Sequence, residues 1–78
     1  MARFFFDISH GEQSFADDEG SDVDNVESVR AIALETLLEK AGRRAPTEDH
    51  TEFRVAVRDE TGASVFCGLL TISGEWTV

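Results

Sequence analysis

Cysteine, proline and basic side chains are scarce in this chain, and long apolar runs are missing. A single Cys, Cys67, excludes an internal disulfide and fits a reducing, cytoplasmic compartment. The single Pro falls in one stretch, Ala45 to Thr51, which reads as a linker. Only 7 basic residues stand against 16 acidic ones, a net charge of −9. That balance speaks against nucleic acid and anionic membranes, both of which attract basic surfaces, and allows a basic protein partner. The opening Met-Ala-Arg-Phe-Phe-Phe-Asp is too short an apolar run for a signal peptide, and no segment is long enough to span a membrane. No internal repeat or low-complexity segment interrupts the chain.

What is present is enough for a small core. The hydrophobic fraction is 41%, with 6 Phe and 1 Trp, which argues against disorder. The 78 residues read as one domain, 1–78. A chain of this size buries roughly 60–65% of its unfolded surface, which leaves little material for a deep catalytic cleft.

Residues Arg3 to Ile8 read as a first strand, with Phe4, Phe6 and Ile8 on one face and Phe5 and Asp7 on the other. A turn at His10-Gly11 leads to a more polar second strand, Glu12 to Asp17, and would set Phe15 opposite Phe6. Asp24 reads as the N-cap of a helix from Asn25 to Ala41, with Glu27 as its capping-box partner and Gly42 as the C-cap. Val26, Val29, Ala33, Leu37 and Ala41 recur every three or four residues and form its apolar face, widened by Leu34 and Leu38; Ile32 lies toward the other side. Phe53 to Arg58 alternates as a third strand, Asp59-Glu60-Thr61-Gly62 supplies a turn, and Val65 to Ile72 forms a fourth strand.

The expected fold is therefore α+β, ββαββ, a four-stranded sheet with one helix packed on one face. The first and fourth strands are the most apolar, which places them in the middle of the sheet in the order 2-1-4-3. That order makes the central pair parallel; an all-antiparallel sheet is the alternative. A type I turn with a Gly62 bulge pairs Val57 with Val65, Val55 with Cys67 and Phe53 with Leu69, all facing the helix. The expected core is Phe4, Phe6, Val29, Ala33, Leu37, Val55, Val57 and Leu69. Phe5, Phe66 and Leu70 then fall on the uncovered face. With Trp76 of the tail they are the candidate interface residues, and they point to a homodimer.

Chemistry is sparse. His10 in a turn and His50 in the linker have no His-x-x-x-His or Cys-x-x-Cys spacing around them, so each reads as an exposed polar residue. Cys67 reads as a small apolar packing group. The acidic run Asp17, Asp18, Glu19, Asp22 and Asp24 supplies hard oxygens, but Gly20 sits at the wrong offset for an EF-hand, and a solvated loop is expected. Arg54 and Arg58 share a strand face and balance neighbouring acids. No catalytic residue, cofactor site or metal site is assigned.

Met1-Ala2-Arg3-Phe4-Phe5-Phe6, His10-Gly11, Asp17-Asp18-Glu19-Gly20, the helix with Glu27, Arg30 and Ala33, and Val57-Arg58-Asp59-Glu60-Thr61-Gly62 together resemble a family of small proteobacterial domains of unknown function. Its members open Met-Pro-Arg-Tyr-Phe-Phe and end in a Val-x-Asp-x-x-Gly hairpin; Ala2 and Phe4 depart from that opening. The resemblance spans nearly the whole chain, implies a complete bacterial domain and carries no established chemistry. A more distant topological likeness is to HicB-type antitoxins, acidic neutralisers of small basic toxins, although the third strand that usually precedes their helix is not evident here. The leading expectation is a non-catalytic protein-association or structural module of the bacterial cytoplasm. The alternatives are an acidic antitoxin-like neutraliser and a small metal-dependent protein or enzyme.

Overall fold

Alternation of aromatic and polar residues at the start of the chain produces a nine-residue strand, β1 (Ala2–His10), in which Phe4, Phe6 and Ile8 are buried. The structure, a computed structural model, describes residues 2–43 and 50–77. A two-residue turn at Gly11 and Glu12 leads to β2 (Gln13–Phe15), and β3 (Ser21–Val23) follows the acidic loop. Both short strands run antiparallel to β1, at its two ends: β2 beside Ile8–His10 and β3 beside Ala2–Phe4. Phe15 consequently lies opposite Ile8 rather than Phe6, because the turn falls one residue later than expected.

The helix, α1 (Val26–Gly42), is capped by Asn25 rather than Asp24. The Asn25 carboxamide oxygen accepts the Ser28 amide at 3.0 Å, satisfying one of the free donors of the first turn. Gly42 stays inside the helix, and the C-cap is Arg43 in right-handed conformation. Val29, Ala33, Leu37 and Ala41 are buried, as their spacing predicts; Val26 and Leu38 are exposed. Ile32, expected on the outer side, packs partly against the core.

The C-terminal half is a long hairpin of β4 (His50–Asp59) and β5 (Ser64–Ser73). Most of the expected linker lies outside the described residues, while His50 and Thr51 already belong to β4. The sheet runs β2-β1-β4-β5, with β3 also on β1, and every pairing is antiparallel. This corrects the expected order and its parallel central pair. The apolar fifth strand occupies an edge, and β4, charged on one face until its last residue, Asp59, sits in the middle. Its other face, Phe53, Val55 and Val57, is fully committed to the core.

The hairpin turn forms as its residues dictate. The Asp59 carboxylate accepts the amides of Thr61 and Ala63 at 2.9 and 3.1 Å, and Gly62 takes φ +90°. Arg58 pairs with Ser64, but Val57 pairs with Phe66, so Val65 is an extra residue in the ladder. One added residue exchanges the two faces of everything beyond it. Phe66, Gly68, Leu70 and Ile72 therefore share the helix-side face with Val57, Val55 and Phe53, and Phe66, Leu70 and Ile72 pack on the core. Leu69 leaves the expected core and is 52% exposed. Gly68 lies under α1, where an added Cβ would come within 3.2 Å of Leu34 Cδ2 and 3.1 Å of Val55 Cγ1. The missing side chain lets α1 settle onto β4 and β5.

Candidate functional site

Two features stand out, one on the sheet face opposite α1 and one along β5. On that open face Phe5 of β1 lies opposite Arg58 of β4, and Asp7 lies opposite Ala56. The Arg58 guanidinium sits 4.6 Å from the centre of the Phe5 ring and donates to Asp7 Oδ2 at 2.9 Å and to the Asp17 carbonyl at 2.9 Å. Asp7 Oδ1 accepts the Asp17 amide at 2.8 Å. The Asp17 carboxylate in turn accepts three backbone amides, of Phe6, Gly20 and Glu19, at 3.0, 3.0 and 3.1 Å. Arg3 bonds the Glu19 carbonyl and pairs with Asp22 at 3.3 Å. The first part of the acidic run is thus not a freely solvated loop: Asp17 and Arg58 fasten residues 17–20 to β1.

The electrostatics follow from those bonds. The Arg58 hydrogen bond holds the Asp7 carboxyl below its ordinary value of 3.8. Burial pushes the Asp17 carboxyl up, but the amides of Gly20, Phe6 and Glu19 outweigh it and leave the group below 3.8. The Asp7 hydrogen bond raises Arg58 further into the charged range. These three groups spend their hydrogen-bonding capacity on one another and on the backbone.

Along β5 the situation is reversed, because nothing among the described residues pairs with its outer side. Its ten residues, Ser-Val-Phe-Cys-Gly-Leu-Leu-Thr-Ile-Ser, include no charged residue and no Pro. Beside it Leu34, Leu37, Leu38, Leu69 and Leu70 line a shallow apolar depression of about 220 Å³. Leu69 and Leu70 point to opposite faces, so this depression wraps round the free edge. Leu38 is 60% exposed there. The other edge of the sheet is broken into β2 and β3, three residues each, joined by the acidic loop. Short strands, charge and bulges are the usual ways to blunt a sheet edge; beyond the Val65 bulge, residues 66–73 of β5 have none of these.

The candidate residues read from the sequence are scattered. Phe5 is on the open face, but under Arg58 and half-buried. Phe66 and Leu70, expected beside it, lie on the helix side because of the Val65 bulge. Trp76 is 88% exposed in the tail. His10 ends β1 and stacks on Phe53, ring centres 4.3 Å apart. His50 lies 3.4 Å from Glu52 and 3.3 Å from the Ser73 hydroxyl. Cys67 is exposed on β5, 3.8 Å from Arg54, and is not a buried packing group. Among the described residues no three His, Cys, Asp or Glu side chains gather as metal ligands, and no helix is long and apolar enough to cross a membrane. The β5 edge was the missed feature, and its signal was present: ten consecutive uncharged residues in a chain that is 29% charged.

Among the described residues, one helix over an antiparallel five-stranded sheet defines a small two-layer α+β domain. Residues 3–71, which contain all of α1 and nearly all of the sheet, match the domain of unknown function DUF6894, and the chain belongs to that family. No curated protein and no solved structure matches it.

Proposed function

We propose that this domain is a non-catalytic protein-association module and that its working surface is the β5 edge with the adjoining leucines of α1. The observation that carries this reading is the contrast between the two edges. One is short, broken and acidic; the other presents a long uncharged ladder next to exposed Leu38 and Leu69. An open edge accepts a strand because its free amides and carbonyls gain partners, and the flanking apolar side chains gain cover. The charged groups on the open face support the same conclusion. Asp7, Asp17 and Arg58 hold the loop in place and are occupied with one another, so they are structural rather than catalytic.

Site-specific photo-crosslinking in the native cell tests the reading. A photoreactive side chain at position 69 should give protein adducts, whether with another copy or a different protein, and the same group at position 14 on β2 should not. Adducts at 14 and none at 69 would overturn it.

A further inference from the structure

Resting on that reading, we infer that the occupant of the β5 edge is a second copy of this chain, whose own β5 adds antiparallel across a twofold axis perpendicular to the sheet. Charge selects this partner and this place. The chain carries −9, so two copies meeting over most of their surfaces bring like charges together. The ten-residue β5 carries none. An antiparallel twofold contact is also self-complementary, because each strand presents the same row of donors and acceptors to the other. The acidic edge at β2 and β3 offers no equivalent, since its strands are only three residues long.

The pleat narrows the register. Residues directly opposite in an antiparallel pair point to the same face. With an axis perpendicular to the sheet the two helices stay on one side, so helix-side residues of β5 must meet helix-side residues of the copy. The axis then passes through a residue rather than between two. Near the middle of β5 that residue is Gly68 or Leu69. In the first register Phe66 lies opposite Leu70 of the copy and Cys67 opposite Leu69; in the second Leu69 lies opposite itself and Cys67 opposite Thr71. Either register covers Leu69, the most exposed leucine of β5, brings the Leu38 side chains toward the junction, and turns two five-stranded sheets into one.

Sedimentation equilibrium of the full chain at about 100 µM, a concentration that populates even a micromolar dimer, is the first measurement. The expected mass is twice the 8.6 kDa of one chain. Leu69→Lys places ammonium groups beside the axis and should halve the mass while the circular dichroism spectrum stays the same; Ser14→Lys on the opposite edge should leave the dimer intact. As a second measurement that needs no disruption, Leu69→Cys beside the native Cys67 sets a cysteine opposite a cysteine in both registers. Mild oxidation should then give a covalent dimer that reducing agent dissolves. Repeating it with Cys67→Ser retains the crosslink only in the Leu69-centred register. A wild-type mass of one chain, or a dimer that survives Leu69→Lys and gives no crosslink, overturns the inference. A monomer whose position 69 nonetheless captures a different protein in the cell also overturns it, while leaving the association reading intact. A monomer with no adduct at position 69 removes both.

Discussion

Asp17 contributes more contacts than any other polar residue of the open face, since one carboxylate closes three backbone amides and its own amide and carbonyl tie back to Asp7 and Arg58. Asp17→Ala leaves those amides without their acceptor and should cost about 1–3 kcal/mol in chemical denaturation at neutral pH. The acid limb carries the sign of the effect. Asp7 and Asp17 are both held below 3.8 in the folded chain, so the folded state binds fewer protons than the unfolded one near that value. Stability from these groups is complete above about pH 5 and is lost as the pH falls through the unfolded and then the folded values. Asp17→Asn should therefore lose less stability than the wild type between neutral and acid pH, and parallel acid limbs would contradict the role of the carboxylate. Gly20 is the other constrained position. Its φ is +73°, and an added Cβ would lie 2.9 Å from the Phe5 ring and 3.0 Å from the Phe4 carbonyl. Gly20→Ala combines a left-handed backbone with a steric collision and should cost at least about 1–2 kcal/mol, read from the denaturation midpoint.

The bulge in β5 decides more than any other local feature. With Val65 inserted, the helix side receives Phe66, Leu70 and Ile72, with Gly68 as the gap into which Leu34 fits. Without an inserted residue the same side would receive Val65, Cys67 and Leu69, a smaller apolar volume against α1. The hydrophobic effect favours the larger set. An unusual expectation follows. Deleting Val65 removes only the unpaired residue and leaves Ser64 followed by Phe66 in their present pairings, so the deletion should cost less than about 1–2 kcal/mol, the price of one local change. Inserting Ala after Phe66 reverses the faces of everything that follows and should abolish cooperative unfolding. If the deletion were the more damaging change, the register would be wrong. The helix offers a more conventional check: Leu37, 1% exposed, should lose about 2–5 kcal/mol on truncation to Ala, measured by the same denaturation.

These elements also show what a sequence discloses. The period of α1 placed Val29, Ala33, Leu37 and Ala41 in the core, and alternation in β1 and β4 placed Phe4, Phe6, Val55 and Val57 there. Both signals are local. The partner of β1 was not legible, because Phe4 and Asp59 meet across most of the chain and apolarity alone ranked β5 above β4 for the central place. The bulge is not legible in the sequence, because Gly68 interrupts the large residues of its own face. The edge is hidden with it: ranked by apolarity, a run of ten uncharged residues reads as interior rather than rim.

At the scale of the whole molecule, the two edges differ in length, continuity and charge, and the sheet is consequently one-sided in its capacity to grow. High salt should strengthen the association proposed here, because it screens the −9 charge of each copy while leaving a strand-to-strand ladder unaffected. A dimer that weakened as salt rose from about 0.05 to 0.5 M would instead point to ion pairs at the contact.

The position of β1 has a different consequence, one of timing. It is the earliest strand in the chain and also an inner strand of the sheet, yet its long partner β4 lies beyond α1. A ribosome adding roughly 5–20 residues per second releases β1 some seconds before β4. In that interval only the short β2 and β3 are available to it, and Phe4, Phe6 and Ile8 face water. The β4–β5 hairpin and α1 are built from near neighbours and form early; joining β1 to β4 closes a long loop and comes late. Substitutions in the hairpin should therefore slow refolding in stopped-flow experiments, and those at Phe6 should chiefly speed unfolding. The nascent chain, rather than the finished domain, is where this protein is most exposed to aggregation.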